Sequence, residues 1–235
     1  MTESANGRVM RFDLSAASVR EVNQFLHREL PGSGIARVEI HDPDGMHSIA
    51  AGMDCAVEID ILGHGGYFVA GMNKLATITV HGNVGWSVAE NIMSGSVRVQ
   101  GHASECAGAS GHGGLLVIEG DASSRCGISM KGCDIVVAGS VGHFSAFMAQ
   151  AGNLVVCGDA GANLGDSLYE ATIYVRGKIH GLGADAQEEE MQPADREFVA
   201  RLLAQAGIDH DAAEFKRIAS ARTLYHWNAD AHQEY

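Results

Sequence analysis

Twelve histidines, five cysteines and a Gly63-His-Gly-Gly66 run are the places where this sequence could do chemistry. Imidazoles can hold a divalent metal, thiolates an iron–sulfur cluster, and a glycine run can cradle a phosphate. Each of these needs convergence or context. The cysteines (Cys55, Cys106, Cys126, Cys133, Cys157) are odd in number and contain no C-x-x-C pair, which suits reduced thiols. The glycine run opens no helix and is followed by more strand-like sequence, so the context that would cradle a phosphate is missing. Whether the histidines converge depends on the scaffold that spaces them.

That scaffold is a repeat. Glycine recurs every nineteen residues at Gly63, Gly82, Gly101, Gly120, Gly139, Gly158 and Gly177. The residue four before each is aliphatic (Ile59, Ile78, Val97, Leu116, Ile135, Leu154, Ile173), and so is the residue two before (Ile61, Val80, Val99, Ile118, Val137, Val156, Val175). Alternation with period two is a strand with one buried face. Seven residues after each glycine stands Ala or Gly, which lets a backbone turn or approach closely. One short strand per nineteen residues cannot bury its own aliphatic pair, but stacked copies can. The expected fold is therefore an all-β solenoid, a parallel β-helix of about seven coils. Stacking places His64 and His102 in one phase but two coils apart, roughly 10 Å, too far to share a metal. His81, His143 and His180 occupy three other phases, and Cys106, Cys126, Cys133 and Cys157 are spread round the coil. No metal or cluster site is expected.

The flanks divide the chain into 1–35, 36–183 and 184–235. In the first, Arg8–Phe12 is a possible strand, and Ser18-Val-Arg-Glu21 has capping-box spacing before a helix carrying Val19, Val22, Phe25, Leu26 and Leu30. Pro31-Gly32 stops that helix, which would cover an open part of the stack. Residues 36–42 repeat the strand pattern with Asp42 in the glycine's place, a degenerate coil followed by a looser loop over 43–56. After Gly183 comes an acidic surface segment, then a helix opened by Pro193 with a stripe of Phe198, Val199, Leu202 and Leu203, ended by Gly207. Asp211-Ala-Ala-Glu214 is expected to cap a third helix bearing Phe215 and Ile218.

Outward positions on the strands are polar in the early coils (Asp60, Thr79, His81, Arg98, Gln100) and at the end (Tyr174, Arg176), but apolar between them. Val117, Val136 and Val155 stack at one position, with Ala138 and Cys157 beside them. A strand apolar on both faces is expected to be covered. A partner subunit is the preferred cover and the chain's own terminal helices the other, so these five residues are the candidate subunit interface. Sixteen basic against twenty-nine acidic residues give a net charge of −13, which opposes binding to nucleic acid or anionic membranes. No run approaches a membrane span and the first residues lack signal-peptide character, so a cytoplasmic location is expected.

The recurring Gly-x-x-Gly (Gly63–Gly66, Gly82–Gly85, Gly139–Gly142, Gly158–Gly161 with Gly165) resembles the GXGXG repeat of a known family, the C-terminal domain of the glutamate synthase large subunit. The likeness covers about residues 36–183. Phe215-Lys-Arg-Ile-Ala-Ser-Ala-Arg-Thr-Leu-Tyr-His-Trp227 is similar to the helix and tryptophan that close chains of that family. Ser104 and Ser123 replace the second glycine in the third and fourth coils, where the bend could therefore differ.

The resemblance implies a right-handed β-helix and a split relative of glutamate synthase in which this part is a free-standing chain. It looks most like the β-helix subunit of N-methylglutamate synthase, whose complex converts methylamine and L-glutamate to N-methyl-L-glutamate and ammonia. On that reading FMN and an iron–sulfur cluster belong to a large partner, a glutaminase-like class II amidotransferase chain is a second partner, and this chain carries no catalytic, cofactor or metal residue. The same fold in the β-helix subunit of formylmethanofuran dehydrogenase, and of the related formyltransferase/hydrolase complex, gives an alternative; the Leu224-Tyr-His-Trp227 ending favours the glutamate synthase branch. A left-handed β-helix acyltransferase would need three six-residue units per coil, and a calcium-binding β-roll would need aspartates that its nine-residue repeats supply. Neither pattern is present.

Overall fold

The computed structural model describes residues 8–222. Its eleven strands are β1 (Arg8–Asp13), β2 (Ile35–His41), β3 (Glu58–Leu62), β4 (Thr77–Val80), β5 (Ser96–Val99), β6 (Leu115–Ile118), β7 (Lys131–Val137), β8 (Ala151–Val156), β9 (Thr172–Val175), β10 (Ala186–Glu189) and β11 (Lys216–Ser220). The two α-helices are α1 (Val19–Arg28) and α2 (Pro193–Ala206). One sheet runs β1-β2-β3-β4-β5-β6-β7-β8-β9-β11-β10, with every pair from β1 to β9 parallel. The nineteen-residue period is the register itself: Ile59 pairs with Ile78, Ile78 with Val97, Val97 with Leu116, and so on to Ile173. Their side chains form the interior of a β-helix.

Each coil leaves the strand at the repeat glycine, and what requires glycine there is a neighbouring backbone. A Cβ on Gly101 would lie 2.8 Å from the Gly82 carbonyl oxygen, and one on Gly120 would lie 2.8 Å from that of Gly101. Two residues on, single-residue bridges link Gly65, Val84, Ala103, Ala122, Val141, Ala160 and Ile179 into a second parallel ladder. Ser104 and Ser123 leave this bend intact. Their N–H groups donate to Val84 and Ala103 at 3.1 Å, as Gly142 donates to Ala122.

The third side of the coil is a turn in which alternate residues are left-handed, for example Phe68 (φ 59°), Ala70 (φ 55°) and Met72 (φ 56°). Left-handed non-glycine residues cost roughly 1–2 kcal/mol each. Here the alternation points successive N–H groups to opposite neighbours. Phe68 donates forward to Trp86 (2.8 Å), Ala70 back to Ile49 (3.0 Å) and Met72 forward to Glu90 (2.7 Å). The conformation is over-determined by the coils on either side. Residues 43–56, expected as a loose loop, form the same turn: Ser48 and Ala50 are left-handed, and Ser48 and Gly52 donate to Tyr67 and Gly71 at 2.7 Å.

The ends are closed differently. At the N-terminal end β1 adds a strand, and α1 starts with the expected capping box of Ser18 and Glu21. Val22, Leu26 and Leu30 join the solenoid core, while the Asn23 amide donates to the Ser48 carbonyl (2.8 Å) and accepts from Ala50 N–H (3.0 Å). At the other end the expected third helix is only a 3-10 turn, Ala212–Glu214, followed by β11, which runs antiparallel between β9 and β10. Phe215 and Ile218 were expected on that helix, and in the resemblance on the helix that closes the family's chains, but Lys216–Ser220 is strand. In extended chain an odd spacing puts them on opposite sides, and they enter different apolar clusters. The acidic segment after Gly183 contains β10, the last strand of the sheet. Among the described residues no helix is long and apolar enough to cross a membrane.

Candidate interaction surface

The polar side chains that follow the repeat glycines from His64 to Asp159 are occupied by the scaffold. Nδ1 of His64 accepts from Asn83 N–H (2.9 Å), the Asn83 side chain accepts from His102 N–H (2.8 Å), and His102 Nδ1 accepts from Asp121 N–H (2.9 Å). Asp121, Ser140 and Asp159 continue the series to Ser140, Asp159 and Lys178 at 2.8–3.0 Å. This ladder of side-chain acceptors satisfies the backbone donors that the strand leaves unpaired at the corner. Among the described residues no group of three His, Cys, Asp or Glu side chains could hold a metal ion. Cys126, Cys133 and Cys157 are buried, and burial pushes their thiols up, to about 12 for Cys133 and about 11 for Cys157. A cleft of about 440 Å³ beside Leu14, Asp42, Asp44 and His64 has solvent-exposed carboxylates at its mouth.

The outward apolar stripe corrects the sequence-based expectation. Val117, Val136, Val155 and Cys157 are buried by the chain itself, under Met191, Val199, Leu202, Leu203, Ala206, Ala212 and Phe215; Ala138 is half-buried at the margin. The helical stripe read from Val199, Leu202 and Leu203 is part of the cover, so Val117, Val136, Val155 and Cys157 are buried without a partner. Polar contacts fix α2 at both ends. The Tyr174 hydroxyl donates to Asp195 (2.8 Å), whose carboxylate also accepts from Gln192 N–H (2.8 Å) and faces the Arg217 guanidinium (3.3 Å). At the other end Arg98 donates to the Ala206 carbonyl and to Glu119, both at 2.7 Å, placing a cation at the helix C-terminus. Burial between these elements pushes the Asp134 carboxyl up, against an opposing hydrogen bond from Asn153 and the charge of Arg201.

What the structure leaves uncovered lies elsewhere. Of the eight large apolar side chains exposed among the described residues, Tyr67, Met72, Leu75, Trp86 and Met93 all fall in the first two regular coils. His47, Tyr67 and Trp86 form a stacked column, with ring centroids 4.5 and 5.4 Å apart and planes within 18°. The ring of Phe68 lies over Gly71, where a Cβ would meet it at 2.5 Å. The signal was in the sequence: Tyr67 and Trp86 each stand four residues after a repeat glycine, in consecutive coils.

No protein-family model matches the chain. Protein GlxC of Rhizobium meliloti (strain 1021) is 53% identical to it over 219 residues, covering 93% of this chain and 96% of that protein. This chain belongs to the GlxC family. A similar fold is found in a chain of the X-ray crystal structure of the formyltransferase/hydrolase complex (FhcABCD) from Methylorubrum extorquens in complex with methylofuran. The match has a TM-score of 0.52 at 20% identity and covers 88% of the GlxC-family chain and 90% of the other. It supports the β-helix architecture.

Proposed function

We propose that this GlxC-family chain is the structural β-helix subunit of a glutamate synthase-like, FMN-dependent complex, and specifically of an N-methylglutamate synthase. The complex would take methylamine and L-glutamate to N-methyl-L-glutamate and ammonia. FMN and an iron–sulfur cluster would sit on a large partner, and a glutaminase-like chain would be the second partner. The observation that carries the proposal is how the polar side chains are used. The imidazoles, amides and carboxylates at the coil corner serve as acceptors for the next coil's backbone. Side chains committed to the scaffold suit a chain that positions other subunits. The glutamate synthase branch rests on the Gly-x-x-Gly resemblance and on the Leu224–Trp227 ending, which lies outside the described residues.

A second reading has its own support. A chain of the formyltransferase/hydrolase complex shares the fold over most of its length, so this chain could instead be the β-helix subunit of a formyl-transferring complex. Isolation at native expression level from the host, with the visible spectrum recorded, separates the two. Flavin absorbance with a glutaminase-like chain, and N-methylglutamate formed from methylamine and glutamate, are the expected results. A co-eluting formyltransferase chain without flavin would establish the second reading, and a chain that elutes alone would refute both.

A further inference from the structure

At the end of the turn, just before the strands, a row of exposed side chains is aligned by the backbone. Met93 N–H donates to the carbonyl of Asn73, the residue before Lys74 (2.7 Å). In the same way His112 N–H donates to Ile92, the residue before Met93, and Lys131 N–H to Gly111, the residue before His112, both at 2.7 Å. Lys74, Met93, His112 and Lys131 therefore hold one position in four consecutive coils, about 4.8 Å apart, and all four side chains are exposed. Leu75, next to Lys74, is half exposed like Met93. Among the described residues Lys74 and Lys131 make no ion pair, whereas cations of the sheet face are taken, Arg37 by Asp60 (2.8 Å) and Arg98 by Glu119 (2.7 Å). The row is bounded on one side by an acid: Lys74 N–H donates to the carbonyl of Met53 (2.8 Å), which makes the exposed Asp54 its preceding member.

We infer that the row from Lys74 to Lys131 docks an extended segment of a partner subunit, with acidic residues at two positions four apart and an apolar residue midway between them. The spacing sets that pattern. Three coils separate the two lysines by about 14 Å, and in extended chain residues i and i+4 point to one side and stand roughly 13 Å apart. Residue i+2 then falls between Met93 and His112, where its apolar side chain meets the Met93 thioether, a group enriched at interface centres. The charge sets the sign: two ammonium groups without a partner recognise carboxylates, and Asp54 opposes any further acid beyond Lys74. A second copy of this chain is disfavoured, because it carries the same net charge of −13 and its acidic Glu188 and Glu189 are already paired with Lys216 and Arg217. The inference rests on reading the chain as one subunit of a larger complex.

The test treats the complex isolated from its host with a water-soluble carbodiimide, which condenses a lysine amine with a carboxylate in contact with it. The expected products join Lys74 and Lys131 to acids four residues apart in one segment of a different co-purified subunit. In parallel, Lys74→Glu and Lys131→Glu should each weaken retention of that subunit about tenfold and flatten its salt dependence. Asp54→Asn should strengthen retention about twofold, by removing the like charge at the end of the row. Lys178→Glu makes the same change of charge at an exposed lysine directly after the last repeat glycine, and should leave retention unchanged. Thermal unfolding of each variant chain alone should match wild type, because all four side chains are exposed. Crosslinks from the two lysines to a second copy, or to acids of the same chain, would overturn the inference. So would full retention by Lys74→Glu and Lys131→Glu, or an equal loss in Lys178→Glu, which would reduce the effect to net charge. A wild-type chain that elutes alone would overturn the subunit reading as well, whereas wild type and lysine variants that keep their partners equally would overturn only the docking row.

Discussion

Replacing Gly120 by alanine tests whether the repeat glycines are required by contact between coils. Gly120 has ordinary φ, so an added Cβ meets no intrinsic backbone penalty. It would, however, lie 2.8 Å from the Gly101 carbonyl oxygen and 2.7 Å from His102 Nδ1. Restoring ordinary contact requires the two coils to part by about 0.5 Å, a gap that already forfeits about a quarter of the local dispersion energy. The same displacement stretches the bonds from Gly120 N–H to Gly101 and from Gly139 N–H to Gly120, both 3.0 Å. Overpacking of this kind costs about 1–3 kcal/mol, and weakened ladder bonds add about 1 kcal/mol. The expected loss is therefore about 2–4 kcal/mol, which for a chain of this size lowers the melting temperature by about 5–15 °C.

Gly181 supplies the control. It also has ordinary φ, but the nearest atom to an added Cβ is 3.8 Å away. Gly181→Ala should be neutral or stabilise by up to about 1 kcal/mol, through the reduced entropy of the unfolded chain. Urea unfolding of the two variants and wild type, compared at unchanged m-value, reads the difference as a shift in midpoint. If Gly120→Ala unfolds with the wild type, or if the two variants shift alike, the glycines are not fixed by coil contact and the steric argument fails.

Val136→Asp places a carboxylate at a fully buried site under α2, and should cost more than about 4 kcal/mol; hydrogen exchange should show the α2 amides losing protection first. Cys157 lies in the same covered cluster with its thiol pushed up by burial, so it should resist a disulfide reagent at about pH 8 in wild type and react quickly in Val136→Asp. Because Cys133 and Cys157 are raised from an ordinary 9.0 to about 12 and about 11, the unfolded chain ionises first as pH rises. The stability they contribute should be intact below pH 9 and lost progressively above it, seen as a falling urea midpoint. Asn73 is fully buried, donating to the Ala76 carbonyl (2.8 Å) and accepting from its N–H (3.1 Å); Asn73→Leu should cost about 2–4 kcal/mol in the same assay. His102→Asn should be tolerated, since Asn83 fills the same role one coil earlier, while His102→Leu should cost about 1 kcal/mol by leaving Asp121 N–H to water.

The solenoid was legible because its signal is repeated: one aliphatic pair is ambiguous, but Ile59/Ile61 and its six successors at constant spacing leave a single register. The capping box of α1 was equally local, needing only Ser18 and Glu21. What covers Val136 was not local. Both a partner and the helix over Val199, Leu202 and Leu203 could bury that stripe, and only the path of the chain through β10 brings α2 back across the sheet. Phe215 and Ile218 misled because a spacing of three suits a helix face and also suits opposite faces of a strand. The deciding fact was that β9 needed a partner, which β11 supplies. The aromatic column obeys the same period as the core. Its signal sits at the turn positions, where Tyr67 and Trp86 coincide, and not at the strand positions whose alternation announces the fold.

These placements restrict how the molecule can assemble. A stack of parallel coils has two open ends, and unpaired strand edges invite further copies. At one end α1 covers the interior beside β1. At the other, β11 reverses direction and β10 lies beside it as the edge strand, its Glu188 and Glu189 paired with Lys216 and Arg217 of β11, a charged edge that disfavours pairing with a further strand. The sheet face of the C-terminal half is occupied by α2, and that of the N-terminal half carries ion pairs such as Arg37–Asp60 at 2.8 Å and Arg11–Glu39 at 2.7 Å. Growth along the rod and burial of its broad face are both opposed, which leaves the turn edge as the uncovered surface. There the first two coils concentrate their uncovered aromatic and methionine side chains, and a rigid ladder of coils holds that surface at fixed distance from both ends.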